Sequence, residues 1–217
     1  MTAVVQKGCS VKTVLIRLIT SAVILLALGI SPASAQSAPA LDVPPVPVNL
    51  QVPAGNTLYF GARAVGTQNY VCLPTAKRVL GWRFIGPQAT LFVDGDGGVP
   101  QQITTHFLSV NPIEVNVARP VWQHSVDTSK VWGRVRSPST DPEYVAPGAI
   151  PWLLLEVAGT EVGPNGGGTM AQTTFIHRVN TSGGLAPSTG CSDDDEIGRV
   201  ALVPYTTDYF FYRKSQD

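Results

Sequence analysis

The chain has 217 residues, of which only 14% are charged, and its basic and acidic residues balance to a formal net charge of zero. Because it has no basic patch and no block of like charges, the composition argues against a nucleic-acid partner and against attraction to an anionic membrane. The 21 glycines and 18 prolines indicate instead a domain with many turns.

The first 35 residues have the pattern of a secretory signal peptide. A start with three basic residues precedes the uncharged apolar run 18–30 (LITSAVILLALGI). Ala33 and Ala35 then supply the small residues at which a signal peptidase cleaves. Because the run is shorter than the roughly 20 residues of a membrane-spanning helix, we favour cleavage near Ala35 over a retained anchor. The mature protein is therefore expected to be secreted or periplasmic, without a transmembrane segment.

The mature chain is predicted to hold a leader and one domain. Residues 36–56 contain five prolines among small and apolar residues, which favours an extended leader along the surface. The remaining 57–217 have the length of a single domain. Residues 74–78 (PTAKR) are compatible with one helical turn.

Short runs rich in β-branched and aromatic residues follow the leader, separated by Gly, Pro, Asn and Asp. The run 170–179 alternates between two faces, and residues 153–155 are apolar on both faces. The sequence therefore predicts an all-β domain, a β-sandwich or a barrel-like fold, with long Gly/Pro-rich loops. The predicted strands are 57–64, 68–73, 80–85, 89–93, 103–108, 130–136, 150–158, 170–179 and 207–213.

Cysteine usage agrees with export. Of three cysteines, Cys9 would leave with the signal peptide, so that Cys72 and Cys191 remain. Two cysteines in an oxidising compartment allow one intramolecular pairing, and we predict a disulfide between them. This bond would fasten the glycine-rich segment 178–191 (RVNTSGGLAPSTGC), which we interpret as a connection held in place and not as a catalytic loop.

The glycine-rich and acidic stretches do not form complete ligand motifs. Residues 163–169 (GPNGGGT) have the glycine spacing of a phosphate loop, but Thr169 stands where that loop needs lysine, so a hairpin loop is favoured. The stretches 94–98 (DGDGG) and 193–196 (DDDE) lack the further ligands of a calcium loop and are interpreted as a turn and a solvated face. We predict no metal site and no cofactor.

No catalytic motif is present, and the histidines are too far apart in sequence for a zinc-ligand pair. A strand histidine with an ordinary hydrogen bond, and a tryptophan in the core, are the more frequent outcomes. If a ligand site or active site exists, its residues must come together from distant parts of the chain. The candidates are His106, Trp122, Asp127, Trp152, His177, Arg178 and Asp208.

An ordered series of short stretches covers nearly the whole mature chain: GTQNYVC (66–72), GWRFIGPQATLF (81–92), HF (106–107), PVW (120–122), DTSKVWG (127–133), IPWLLLEV (150–157), FIHRVNTSGGLAPSTGC (175–191) and VPYTTDYFFY (203–212). This series resembles the exported bacterial and fungal family DUF3455, whose function is unknown. The resemblance implies a secreted all-β domain with paired cysteines, and it carries no catalytic residue. Asp127-Thr128-Ser129 stands where the family has D-G-S, a departure from a glycine turn.

Three functional interpretations remain open. The first is a non-enzymatic binding or envelope-associated module, a monomer that recognises a glycan or another small extracellular ligand. The alternative is a secreted hydrolase or metal-dependent enzyme whose site is built from sequence-distant His and Asp residues. The alternative requires at least three of His106, Asp127, His177, Arg178 and Asp208 to converge in one pocket. A purely structural protein, the third interpretation, would have no well-formed pocket.

Overall fold

The computed structural model describes residues 41–75 and 79–216. In this part of the chain eight antiparallel strands form a closed barrel, in which sequence neighbours pair and the last strand pairs with the first. The strands are β1 (Asn56–Pro74), β2 (Leu80–Asp94), β3 (Pro100–Val110), β4 (Ala118–His124), β5 (Lys130–Ser139), β6 (Trp152–Glu161), β7 (Thr173–Gly183) and β8 (Val200–Lys214). The all-β prediction is confirmed, and the architecture is a barrel, not a sandwich.

Two pairs of predicted strands are single long strands. Residues 57–64 and 68–73 both belong to β1, and residues 80–85 and 89–93 both belong to β2. The apparent break in β2 is a bulge, because Asn69 pairs with Gly86 and the next residue of β1 pairs with Phe84, which leaves Ile85 without a partner. A bulge keeps the strand continuous while bending it.

The short strand β4 was not predicted. It has seven residues, two of them Arg119 and Pro120, and such a composition does not indicate a strand. The predicted signal peptide and the predicted helical turn at 74–78 fall wholly or partly on residues outside those the structure describes. Within the described ranges, no helix has the length and apolar character that crossing a membrane requires.

The barrel interior is filled by one face of each strand. Side chains of β8 alternate, so that Tyr205, Tyr209 and Phe211 face the interior while Phe210 and Tyr212 face outward. In β7, Ile176 faces inward and Val179 outward, as the two-faced sequence of this segment predicts. The interior cluster consists of Ala62, Ala64, Ala89, Leu91, Trp122, Val131, Ile150, Leu155, Met170, Ile176, Tyr205, Tyr209 and Phe211.

A second core lies outside the barrel, under the leader. Residues 41–55 run over β6, β7 and β8 and include a 3-10 turn at Val48–Leu50. Leu50 is fully buried there against outward-facing side chains such as Leu154 and Phe210. This arrangement explains the triple leucine of β6, in which Leu154 packs under the leader and Leu155 packs inside the barrel.

The predicted disulfide between Cys72 and Cys191 is present, with a Cα–Cα distance of 5.4 Å. It joins the end of β1 to the segment between β7 and β8, across a sequence separation of 119 residues. Gly183 and Gly184 both have positive φ, +68° and +86°, and let the chain leave β7 in a turn. Segment 178–191 thus contains the end of β7 and the first part of the connection to β8, which the disulfide holds against β1.

The leader should contribute to the stability of the barrel through Leu50. Val48 belongs to the same 3-10 turn but is 82% exposed, whereas Leu50 is fully buried. We expect Leu50→Ala to lower the free energy of unfolding by about 2 kcal/mol or more. Val48→Ala should change it by less than about 0.5 kcal/mol. Urea unfolding of both variants checks this, and equal effects would contradict the docking of the leader.

Candidate functional site

The barrel interior contains a stack of aromatic and polar side chains. The imidazole of His106 lies on the indole of Trp122, with ring centroids 4.2 Å apart and planes 12° from parallel. The ring of Tyr209 meets both edge-on, at 5.2 Å from His106 and 5.3 Å from Trp122. These residues sit on β3, β4 and β8, and the closure of the barrel brings them together. Two of the predicted site residues, His106 and Trp122, are therefore in direct contact.

His106 is held as a neutral imidazole. Its Nδ1 lies 2.9 Å from the carbonyl oxygen of Val121, and a carbonyl only accepts, so Nδ1 carries the proton and donates it. Burial holds the pKa of His106 at about 3, although the bond to Val121 opposes the shift and the charge of Arg178 adds to it. A neutral buried histidine stacked on tryptophan acts as a packing group.

Arg178 faces the same interior, at one end of the barrel. It lies directly opposite Tyr209 in the ladder between β7 and β8, two residues after the inward-facing Ile176. Its Nε and Nη2 donate to the carbonyl oxygen of Pro151, at 3.2 and 2.8 Å. Arg178 is close enough to lower the pKa of His106 further, and is the one remaining candidate that shares the interior with His106 and Trp122.

Asp127 lies in the turn between β4 and β5 and has a structural role. Its carboxylate accepts hydrogen bonds from the backbone N–H and hydroxyl of Ser129 and from the N–H of Thr169. Burial tends to raise the pKa of Asp127, but these hydrogen bonds outweigh it and hold the pKa well below its usual range. The turn also places Thr128 at φ +58°, a conformation that a β-branched residue rarely adopts.

The glycine-rich stretch 163–169 wraps around this turn. An added Cβ at Gly163 would collide with the carbonyl oxygen of Asp127, and one at Gly167 would collide with the Asp127 side chain. The glycines are needed for this close approach. The N–H of Thr169 donates a hydrogen bond to the carboxylate of Asp127. The stretch joins β6 to β7, as the hairpin interpretation predicts.

His177 and Trp152 lie under the leader on the outer face of the barrel. Nε2 of His177 donates to the carbonyl oxygen of Leu50 at 2.7 Å, and the hydroxyl of Tyr212 is 3.1 Å from Nδ1. Burial lowers the pKa of His177, and the bond to Leu50 opposes this. Trp152 packs in the same outer cluster, with its ring 5.9 Å from that of Tyr144.

Asp208 is on the outer face of β8, where its carboxylate is 3.6 Å from Nε of Arg63 and accepts a hydrogen bond from Asn180. The five His, Asp and Arg candidates therefore occupy four places: the interior, the turn after β4, the space under the leader and the outer face of β8. His106 and Arg178 alone among the five share the interior. They do not form the common pocket that the enzyme hypothesis requires.

The acidic stretch 193–196 is a short 3-10 turn held by Glu196. This carboxylate accepts hydrogen bonds from the N–H groups of Ser192 and Asp193 and from Arg199. The hydrogen bond from the backbone N–H of Ser192 is the main reason that the pKa of Glu196 is lowered. The bond from Asp193 and the charge of Arg199 add to the shift, and burial opposes it. Within residues 41–75 and 79–216, no three His, Cys, Asp or Glu side chains are grouped closely enough to hold a metal ion.

The tryptophans do not form a platform for stacking sugars. Trp122, Trp132 and Trp152 are buried. Trp82 is partly exposed, but its Nε1 donates to the carbonyl oxygen of Thr189 in the connection that the disulfide fastens. Core packing, the more frequent outcome, is thus confirmed for three of the four.

A groove of about 860 Å³ lies on the outer face where β1, β2 and β3 meet, with Leu202 of β8 on its rim. The β2 bulge shapes it: Gly86 has φ +131°, and Gly66 lies so close to β2 that an added Cβ would collide with the backbone of Gln88. Among the described residues that line it there is no Asp, Glu, Lys or Arg, and the one titratable side chain is the buried, neutral His106. Its polar groups are hydroxyls and amides, from Thr67, Asn69, Gln88, Thr90 and Thr105.

Comparison with family models matches residues 53–213 to DUF3455, a protein family of unknown function. The chain belongs to this family. Comparison with curated proteins and with solved structures gives no match. Membership in DUF3455 therefore assigns no reaction, ligand or site residue to this chain.

Sequence reasoning missed the groove and three polar side chains of the interior. Gln68, Tyr205 and Tyr209 are all buried in the barrel. Tyr205 lies before residue 207, where the last strand was predicted to start. Gln68 is the first residue of the predicted strand 68–73, for which the sequence did not show which side chains face inward. The alternation of Tyr205 and Tyr209 with outward-facing residues was the available signal. The groove has no such signal, because it depends on a bulge and on the pairing of distant strands.

Neutral His106 makes stability depend on pH. Above the unfolded pKa of 6.5 both states are neutral; below it the unfolded chain takes up a proton that the folded protein resists down to about pH 3. The free energy of unfolding should therefore fall by about 2 kcal/mol between pH 7 and pH 5 through His106 alone. Asp and Glu groups with lowered pKa values lose their contribution only below this window.

Chemical denaturation of the wild type and of His106→Gln at pH 7 and pH 5 measures this contribution. Between pH 7 and pH 5 the free energy of unfolding of the variant should decrease less than that of the wild type. The decrease due to His106 should be mostly absent, and the decrease due to His177 should remain. The ¹⁵N shifts of the His106 ring in the folded protein should remain those of the Nδ1–H tautomer at pH 5. A His106 ring that titrates near pH 6 would contradict its burial.

Proposed function

We propose that the protein is a non-catalytic, extracytoplasmic binding module that takes an uncharged, amphipathic small ligand, with neutral glycans as one such class. The observation that carries the proposal is the groove on β1, β2 and β3. It combines hydroxyl and amide groups with apolar side chains and has no charged residue in its lining. General acid–base and nucleophilic catalysis need titratable or activated groups, and this groove offers none accessible to a ligand.

Exposed apolar surface at the groove supports a binding role. Val65, Ile85 and Leu202 are 52%, 46% and 59% exposed, and they border one continuous depression instead of being scattered. Apolar surface of this kind, rimmed by polar groups, is typical of ligand-binding grooves. Since no tryptophan lines the groove, Phe107 is the aromatic side chain against which a sugar ring would pack.

The disulfide supports the extracytoplasmic part of the proposal. Structural disulfides form and persist in oxidising compartments and are rare where thiols are kept reduced. The bond between Cys72 and Cys191 is therefore compatible with a secreted or periplasmic protein. The signal peptide that would direct export is predicted on residues outside the described ranges.

The groove can be tested by NMR titration of the ¹⁵N-labelled mature chain with a panel of neutral oligosaccharides and uncharged amphipathic compounds. We expect at least one class to bind, with amide shifts concentrated at Val65, Thr67, Thr90 and Phe107. Leu202→Glu should weaken that binding by about tenfold, because it places a charge at the rim of an uncharged site.

The matched control is Val126→Glu, the same change at a position that is 78% exposed and lies in the turn after β4. It should leave affinity unchanged. The proposal fails if no compound of the panel binds, if the shifts lie outside the groove, or if Leu202→Glu binds as tightly as the Val126→Glu control.

A further inference from the structure

Arg178 is a cation inside the barrel without a carboxylate partner. Its two hydrogen bonds to the carbonyl oxygen of Pro151 hold the guanidinium in place and leave Nη1 unused by them. Among residues 41–75 and 79–216, the ion pairs of the protein involve other residues, and none includes Arg178. An arginine that faces a protein interior is normally paired or bound to an anion.

Two further hydrogen-bond donors at this end of the barrel make no hydrogen bond of normal length to any residue within 41–75 and 79–216. They are Nε2 of Gln68, which is 3% exposed, and the hydroxyl of Tyr205, which is 2% exposed. The two side chains are neighbours, since a Cβ added at Gly184 would lie 3.0 Å from Cβ of Tyr205 and 3.1 Å from Cγ of Gln68. Buried donors without acceptors are costly and call for an explanation.

Arg178 and Tyr205 belong to one environment. Burial is the main reason that the pKa of Tyr205 is raised, the nearby Tyr209 adds to the shift, and the charge of Arg178 and the close approach of the Gln68 amide oppose it. Arg178 likewise opposes the raised pKa of Tyr209, its partner across the strand pair. The guanidinium, the Gln68 amide and the Tyr205 hydroxyl therefore lie in one region of the interior, and each of them can donate a hydrogen bond.

Two residues of this region reach the solvent-accessible surface. Arg178 and Tyr70 are only partly buried, in contrast to Gln68 and Tyr205. The hydroxyl of Tyr70 donates to the carbonyl oxygen of Gly184 at 2.7 Å, which ties β1 to the connection after β7. Gly184, from the connection after β7, is needed here because its φ is +86° and a side chain would crowd both Gln68 and Tyr205.

We propose that Arg178, Gln68 and Tyr205 form a binding site for a small organic monocarboxylate at this end of the barrel. Each group donates to an oxyanion, and a planar carboxylate fits a guanidinium and two neutral donors. One positive charge balances one negative charge. A dianion would leave an uncompensated charge, because the nearby tyrosines and His106 are neutral at pH 7.

Isothermal titration calorimetry of the mature chain at pH 7 and constant ionic strength tests this site. The probes are sodium acetate, butyrate and benzoate, with butyramide as the uncharged analogue of butyrate and sulfate as a dianion. At least one carboxylate should bind saturably, and butyramide and sulfate should bind at least about tenfold more weakly. Absence of carboxylate binding, or sulfate binding as tight as any carboxylate, overturns the proposal.

Arg178→Gln should lower carboxylate affinity by about tenfold or more. The control, Arg134→Gln, makes the same change of charge at a side chain that is 51% exposed on β5, and it should bind as the wild type does. Equal affinity of the two variants overturns the proposal. Leu202→Glu should not affect carboxylate binding, so this site and the outer groove can fail independently.

Tyr205→Phe separates a binding role from a packing defect. Removing a buried hydroxyl that has no partner should leave the ligand-free protein as stable as the wild type or more so, as seen in its thermal midpoint. Carboxylate affinity should nevertheless fall by about threefold to tenfold. A stable Tyr205→Phe protein with wild-type affinity overturns the proposal, whether or not Arg178→Gln folds.

Discussion

The pairing of β1 with β8 is the interaction on which the rest of the structure depends. It runs from Asn56 opposite Lys214 to Val71 opposite Val200, along nearly the whole length of both strands. This ladder satisfies the backbone groups of two strands that would otherwise be sheet edges. It also defines an inside, so that residues from β1, β3, β4, β7 and β8 can face one another across a common interior.

The outer surface of the closed barrel is covered on one side and open on another. Over β6, β7 and β8 the leader covers apolar residues, and His177 joins it to the barrel through the carbonyl oxygen of Leu50. At the end of the barrel the disulfide fastens the connection before β8 to β1. Over β1, β2 and β3 the surface stays open and forms the groove, where the apolar side chains of Val65, Ile85 and Leu202 are exposed to a ligand.

The sequence predicts the local structure of this protein well and its assembly only in part. Alternating residues in segment 170–179 and two remaining cysteines were sufficient for the two faces of β7 and for the disulfide, because these follow from periodicity and pairing chemistry. Closure into a barrel was one of two architectures left open, since it depends on contacts between the first and last strands. The short strand β4 has only two residues that favour strands, Val121 and Trp122, and is defined by its neighbours.

The candidate sites show the same limit of sequence prediction. His106, Trp122 and Arg178 were named from residue type and came together only because the barrel closes. Asp127, His177 and Asp208 lie elsewhere and did not join them.

The most direct test of closure is the set of NOEs between β1 and β8, together with amide exchange in both strands. A closed barrel predicts contacts between Arg63 and Asp208 and between Val65 and Thr206, with slow exchange throughout. A missing set of contacts, with fast exchange at alternate amides of β1 or β8, would show an open sheet and contradict the account.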